Sequence, residues 1–226
     1  MTTAVSHYFG SSIGRKQLVA ITGLLLCGFL VSHLAGNFLL MVGPEAFNLY
    51  GYKLASLGAL LYVIEGILAV IFAVHLGLAI KLNVENLNAR GGAKRYALKK
   101  RTGRGTTIFS QTMPITGLIL LAFLITHIWG IKLTVVNHTV IDGIQMRDLY
   151  KDTMSYFQNI IVVIWYVIAM TAAAMHTAHG VASAFQSMGW NSPKYYRNVK
   201  LVGYGYAVLV SGGFAFLAIW AHLKGV

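Results

Sequence analysis

Four of the eight histidines in this chain of 226 residues stand inside long apolar stretches. They are His33, His75, His127 and His176. A histidine in an apolar membrane span is costly unless it binds something. One alone could be an imidazole hydrogen-bonded to a backbone carbonyl. Four of them, one in each of four successive spans, favour the ligands of a prosthetic group.

Two of these histidines close an internal repeat. Residues Ile21 to His33 read ITGLLLCGFLVSH, and Ile115 to His127 read ITGLILLAFLITH. Ile, Thr, Gly, Leu, Leu, Phe, Leu and His fall at the same places in both copies. Internal repeats in membrane proteins usually mark a functional axis. The repeat therefore suggests one ligand held between two matched helices.

Helical rise sorts the four histidines by depth. At about 1.5 Å per residue, His33 and His127 lie about 27 Å and about 24 Å from the cytoplasmic ends of their spans, whereas His75 and His176 lie about 9 Å and about 15 Å from theirs. We call His33 with His127 the outer pair, and His75 with His176 the inner pair. Two pairs at two depths suit two haems, each with axial imidazoles from both sides. His179, one turn beyond His176, is a rival for the fourth ligand.

Small residues near the ligands would leave room for a flat macrocycle. They are Gly28, Gly36, Gly77, Gly130 and Gly180. Glycine is common in any transmembrane helix, so this support is weak. The sequence has no CxxCH motif, which excludes a covalently attached c-type haem.

The composition indicates a membrane protein, because 57% of the residues are hydrophobic and 11% are charged. Five apolar spans, each long enough for a bilayer core of about 30 Å, are predicted at about residues 17–41, 54–80, 113–135, 157–185 and 201–223. Helices are expected because lipid leaves no other way to satisfy the backbone. The predicted fold is all-α: one integral membrane domain, residues 1–226, formed by a five-helix bundle that binds two haems b.

Basic residues indicate orientation. Thirteen Lys and Arg residues lie on the side of the N-terminal head and of segments 81–104 and 194–200, against five on the other side. The first side is predicted to be cytoplasmic. The net charge of +12 is therefore interpreted as topology and attraction to anionic membrane lipid, not as nucleic-acid binding. A docking surface for a soluble partner is compatible with it.

The sequence resembles the dihaem cytochrome b membrane anchor of succinate:quinone oxidoreductases, the single-subunit, five-helix kind of succinate dehydrogenases and quinol:fumarate reductases. The resemblance covers almost the whole chain. It rests on the four histidines, the Thr-Gly pair before both repeat histidines, the run HTAHGVASAFQSMGW from His176, and GPEAFNLYGYK from Gly43. In the family, the ligand on the fourth helix is followed thirteen residues later by glycine. Counting back from Gly189 selects His176 over His179.

The resemblance implies an electron-transfer subunit in a bacterial cytoplasmic (inner) membrane. Such an anchor carries two haems b and a site for menaquinone or another quinone. It binds an iron–sulfur subunit and, through it, an FAD flavoprotein, and the complexes can form dimers. It supplies no residue to the dicarboxylate chemistry. Two alternatives remain open: the cytochrome b anchor of a membrane hydrogenase or formate dehydrogenase, and a small membrane transporter.

Other polar residues are candidates for secondary roles. Those placed where inner-haem propionates would emerge are Arg15, Lys16, Ser110 and Gln111. Those that could serve a quinone or a proton path are Glu45, Asn37, Glu65 and Tyr62. Ordinary interfacial anchoring explains the first group equally well, and Glu65 could equally have a structural hydrogen bond.

One departure from the family bears on energy coupling. Some fumarate reductases of this kind carry a glutamate on the fourth helix, two residues before the ligand, which helps to return protons across the membrane. Here that position is Ala174, and the predicted span 157–185 has no acidic residue. Unless Glu65 or a water chain substitutes, electron transfer between the two haems is expected to be uncompensated.

Overall fold

A computed structural model of the chain describes residues 8, 10–89, 108–134, 136–190 and 192–225. Its elements, in chain order, are α1 (Ser12–Val42), α2 (Pro44–Ala55), α3 (Ala59–Ala89), α4 (Ile108–Lys132), β1 (His138–Ile141), β2 (Ile144–Arg147), α5 (Leu149–Phe157), α6 (Ile160–Ser187) and α7 (Tyr196–Lys224). The five long helices α1, α3, α4, α6 and α7 are long and apolar enough to cross a membrane. This confirms the prediction of five apolar helices long enough to cross a membrane.

The helix ends differ from the predicted spans where capping groups set them. Helix α1 begins five residues earlier than expected, because the Ser11 side chain accepts a hydrogen bond from the Gly14 amide and caps the helix. Helix α6 begins at Ile160 and not at 157, since Asn159 caps it in the same way. Hydropathy carries no information on such caps.

The second predicted span, 54–80, is wrong at both ends. Its first residues belong to the end of α2 and to a turn in which Gly58 has a φ of 56°. Helix α3 then continues to Ala89. The two remaining spans are also longer at their starts, since α4 begins at Ile108 and α7 at Tyr196.

The four histidine-bearing helices form an open ring. Helix α1 packs against α3 and α6, and α6 packs against α4, while α7 packs outside against α6 and α1. Among the described residues, α1 is not closely packed against α4, nor α3 against α6 or α4. The order around the ring is therefore α3, α1, α6, α4, with its open side between α3 and α4. The diagonals of this ring join α1 to α4 and α3 to α6.

A packed layer covers the end of the bundle where α1 and α4 finish and α6 starts. It consists of α2, α5 and an antiparallel hairpin, β1–β2, which turns at Asp142 and Gly143. Asn48 joins α2 to α5, because its amide donates to Asp148 Oδ1 at 3.0 Å and its Oδ1 accepts from the Tyr150 amide at 2.8 Å. None of these three elements was predicted from hydropathy.

Asp152 ties α5 to the hairpin. It accepts hydrogen bonds from the backbone and side chain of Asn137, at 3.1 and 2.7 Å, and from Arg147 Nε at 2.7 Å. Burial opposes its charge, yet these hydrogen bonds and the Arg147 guanidinium together hold the pKa of Asp152 below its ordinary 3.8. Asp152 is therefore a charged structural link.

Candidate functional site

The structure brings the outer pair together across one diagonal. The ring centroids of His33 on α1 and His127 on α4 are 5.9 Å apart, and the ring planes make an angle of 84°. The phenylalanine one turn earlier stacks on each imidazole: Phe29 on His33 at 5.3 Å and Phe123 on His127 at 5.4 Å. Both phenylalanines are matched positions of the repeat.

Side chains on neighbouring turns and helices hold the outer imidazoles. His127 Nδ1 lies 2.8 Å from the Tyr166 hydroxyl of α6, whose ring also contacts the Tyr156 ring at 6.0 Å between centroids. Asn37 donates to the backbone carbonyl of His33 at 2.7 Å, and its amide nitrogen is 3.4 Å from His33 Nδ1. Asn37 therefore contacts the turn that carries His33, and its role toward a quinone or a proton path stays a prediction.

The inner pair is held by the other end of the repeat. His75 Nδ1 lies 3.1 Å from Thr22 Oγ1, and His176 Nδ1 lies 3.1 Å from Thr116 Oγ1. The two threonines occupy matched positions, on α1 and α4. The inner imidazoles belong to the diagonal helices α3 and α6.

The repeat relates α1 to α4, and with them His33 to His127 and Thr22 to Thr116. In both copies eleven residues separate the threonine from the histidine, which corresponds to about 16 Å along a helix. The two pairs therefore lie at two levels, one on each diagonal of the ring.

All four histidines use Nδ1 for their polar contacts. No described residue hydrogen-bonds to any of the four Nε2 atoms. A histidine that binds a metal through one ring nitrogen ordinarily makes its hydrogen bond through the other. Within the described part of the chain, no group of three or more His, Cys, Asp or Glu could hold a metal ion by itself. The outer level thus offers two adjacent imidazoles, and the inner level two imidazoles that contact matched threonines of the repeat.

The other predicted residues are scattered. Arg15 forms an ion pair with Glu85 of α3 and also donates to the Ser11 carbonyl. Lys16 and Gln111 are exposed, Ser110 is half-buried, and Glu45 is exposed in the first turn of α2. Among the described residues, Lys16, Gln111 and Glu45 show no contact with the histidines. The basic residues at 90–107, used to predict orientation, lie outside the described residues.

Glu65 and Tyr62 lie near the outer end of α3. Glu65 accepts a 2.5 Å hydrogen bond from Lys132 Nζ, so it bridges α3 to α4 across the open side of the ring. Tyr62 is 73% exposed and makes no described contact with either histidine pair. Glu65 thus has the structural hydrogen bond that the sequence analysis gave as an alternative role, with Lys132 as its partner.

Two of the five predicted spacer glycines do not leave open space. A Cβ at Gly36 would collide with the Tyr50 ring, and one at Gly130 with the Tyr156 ring. Open space adjoins the remaining spacers, which are Gly28, Gly77 and Gly180. His176 Nδ1 lies 3.1 Å from a threonine of the repeat, Thr116, whereas His179 has no such contact among the described residues.

Sequence reasoning missed the residues that orient the histidines: Thr22, Thr116, Tyr166, Phe29 and Phe123. A signal for four of them was present, since the repeat matches at Thr and Phe as well as at His. Tyr166 lies outside the repeat and carries no comparable signal.

Comparisons with protein-family models, with curated proteins and with solved structures find no match to this chain.

Proposed function

We propose that this chain is a membrane anchor and electron-transfer subunit that holds two haems b. His33 and His127 would ligate the outer haem, and His75 and His176 the inner one. The observation that supports this most directly is the placement of the four histidines on the two diagonals of a four-helix ring, with the ring centroids of His33 and His127 only 5.9 Å apart.

His33 and His127 would hold the outer haem from the two helices of one diagonal. The outer centroids are 5.9 Å apart. The helices of each diagonal are also not packed closely against each other, which is what a flat group between them requires. Haem, when bound, supplies reversible one-electron chemistry whose potential depends on its ligands and surroundings.

The residues of the chain would position and tune the group. Hydrogen bonds from Nδ1 to oxygen atoms would orient His75, His127 and His176 and raise their basicity as ligands. Phe29 and Phe123 hold the outer imidazoles by stacking and keep water away from them. The apolar side chains of the surrounding helices lower the local dielectric, which also tunes a redox potential.

The assignment to a succinate:quinone oxidoreductase rests on the sequence resemblance. In that complex the chain would pass electrons between an iron–sulfur subunit and a membrane quinone, with an FAD flavoprotein carrying the dicarboxylate chemistry. The soluble partners would dock on the side of the N-terminal head, to which the inner pair is nearer. That side would be the cytoplasm of a bacterium.

The first experiment is a reduced-minus-oxidised absorption spectrum of the purified chain, followed by redox titration of four His→Ala variants. We expect b-type bands with two components. His33→Ala and His127→Ala should remove one component, and His75→Ala and His176→Ala the other. His179→Ala is the matched control and should keep both. Loss of the same component from His33→Ala and His75→Ala would contradict the pairing, and absence of b-type bands would contradict the function.

The second experiment identifies the complex. Gently solubilised native protein should co-purify with a flavoprotein and an iron–sulfur subunit and show succinate–quinone activity. Co-purification with hydrogenase or formate dehydrogenase subunits, with the haem spectrum intact, would contradict the succinate assignment while leaving the haem sites in place.

A further inference from the structure

We infer that Thr22 and Thr116 are positioning residues that hold His75 and His176 in the tautomer with the proton on Nδ1. The Nε2 lone pairs of the inner pair are then the ligand-binding atoms. This inference rests on the proposed function, because it assigns a role toward the inner haem.

The proton on His75 is located by a backbone carbonyl. His75 Nδ1 lies 3.2 Å from the Val19 carbonyl oxygen of α1. A carbonyl oxygen only accepts hydrogen bonds, so a bond between these two atoms requires Nδ1 to be the donor. A neutral imidazole that carries its proton on Nδ1 has its lone pair on Nε2.

The Thr22 hydroxyl supports the same tautomer. Thr22 Oγ1 is 2.7 Å from the Leu18 carbonyl and 3.1 Å from the Val19 carbonyl, both on its own helix. The single hydroxyl proton is donated to this pair of carbonyls, as is usual for threonine within a helix. The oxygen therefore presents a lone pair to His75 Nδ1, at 3.1 Å.

Thr116 repeats this geometry on α4. Its hydroxyl is 3.1 Å from the Thr112 carbonyl and 3.1 Å from the Met113 carbonyl, so its proton is used in the same way. His176 Nδ1, at 3.1 Å, faces the hydroxyl lone pair. No carbonyl contact to His176 Nδ1 occurs among the described residues, so His176 depends on the threonine more than His75 does.

The glycine after each threonine brings the imidazole close. An added Cβ would lie 3.0 Å from His75 Cε1 at Gly23 and 3.7 Å from His176 Cε1 at Gly117. The edge of each ring, between Nδ1 and Cε1, therefore rests on the Thr-Gly segment. The outer pair has no such segment, since His33 faces the Asn37 amide and His127 faces Tyr166.

The test compares variants of the full-length chain in lipid nanodiscs. Thr116→Val removes the hydroxyl and keeps the side-chain shape, and Thr116→Ser restores the hydroxyl. Thr112→Val and Thr177→Val are matched controls, because these hydroxyls bond only to carbonyls of their own helices. Each protein is examined before and after addition of haem, by ¹⁵N NMR of the histidine rings and by haem titration.

Before haem is added, we expect the Nδ1–H form for His75 and His176 in the wild type. Thr116→Val should lose this preference at His176, whereas Thr22→Val should keep much of it at His75 through the Val19 carbonyl. Affinity for the inner haem should fall about 10–100-fold in Thr116→Val, the usual loss when a residue that hydrogen-bonds a metal-binding histidine is removed. The outer component should be unchanged, and Thr116→Ser should recover the inner one.

Different experimental outcomes would overturn the inference and the proposed function. A wild-type His176 with its proton on Nε2 would overturn the inference, as would a Thr116→Val protein with unchanged tautomer and unchanged inner-haem affinity. Failure of the wild type to bind haem, with both tautomers as expected, would overturn the proposed function and with it the role toward haem. A raised midpoint potential of the inner component in Thr116→Val is a further sign of lost ligand basicity that a purely structural role would not produce.

Discussion

One thirteen-residue segment serves two histidines at two levels. Within each copy of the repeat, phenylalanine stacks on the histidine of its own helix, while threonine and glycine contact the histidine of the next long helix. The match of the two copies at these positions is therefore more than a match of apolar character. Threonine, glycine, phenylalanine and histidine, which match in the two copies, each make a separate contact in the structure.

The two repeat glycines should tolerate alanine differently. At Gly23 the new methyl would lie 3.0 Å from the anchored His75 ring, but at Gly117 it would lie 3.7 Å from His176, an ordinary contact. Gly23→Ala should lower the free energy of unfolding by about 1–3 kcal/mol, as overpacking does. Gly117→Ala should be neutral or slightly stabilising, since alanine favours helix. Thermal unfolding in detergent, with Gly28→Ala as control, measures this; a larger loss at Gly117 would contradict it.

The outer pair should respond to the Tyr166 hydroxyl. Tyr166→Phe removes the 2.8 Å hydrogen bond to His127 Nδ1 and keeps the aromatic contacts with Phe123 and Phe157. Redox titration should show an altered outer component, with haem affinity lowered about 10-fold or more, and an unchanged inner one. Tyr206→Phe is the control, because its hydroxyl donates to the Cys27 carbonyl at 2.9 Å. Equal effects of both variants would refute a specific role for Tyr166.

At the scale of elements, hydropathy predicted the five apolar helices, and rise per residue placed His33 and His127 at one level, where their rings lie 5.9 Å apart. They predicted neither the covering layer nor the helix ends. Hydropathy averaged along the chain does not separate the end of α2 from α3. It also does not detect a helix of nine residues such as α5. Local signals were nevertheless present: Asp142-Gly143 is a favoured two-residue hairpin turn, and Pro44 after Gly43 suits the first position of a helix.

The covering layer should weaken in acid through Asp152. Its pKa is lower in the folded chain than its ordinary 3.8, so its stabilisation is present at neutral pH and lost as pH falls through the folded-state pKa. Asp152→Asn should cost about 1.5–3 kcal/mol at pH 7, the usual contribution of a hydrogen bond to a charged group, and the difference from wild type should shrink below about pH 4. Unfolding in detergent at several pH values tests this. Asp142→Asn, in the exposed turn of the same hairpin, should change little; a pH-independent cost at Asp152 would refute the assignment.

At the scale of the whole molecule, the placement of carboxylates bears on energy coupling. Helix α6 contains no acidic residue, and Glu65 is paired with Lys132. If electrons move between the two levels, their charge is not returned by a carboxylate on α6. The free energy of moving one charge across the membrane changes by about 2.3 kcal/mol per 100 mV of membrane potential. We therefore predict that turnover with menaquinone at an outer site is electrogenic and that the membrane potential assists succinate oxidation.

Sealed vesicles test this prediction. An uncoupler should suppress electron flow from succinate to menaquinone, and Glu65→Gln should leave that response unchanged. An unaltered rate in tightly sealed vesicles would indicate a proton route, or a quinone site on the inner side.

The contact of each repeat threonine with a histidine on the next long helix also bears on how the chain folds during synthesis. Thr22 on α1 orients His75 on α3, the next long helix to be synthesised, and Thr116 on α4 orients His176 on α6 in the same way. Each inner imidazole can therefore be turned to its final direction inside one freshly inserted helical hairpin, before the other half of the chain exists. Only the facing of the two halves, His33 to His127 and His75 to His176, has to wait for the complete chain. In the newly synthesised first half, His75 would therefore already be oriented by Thr22 before His127 and His176 have been made.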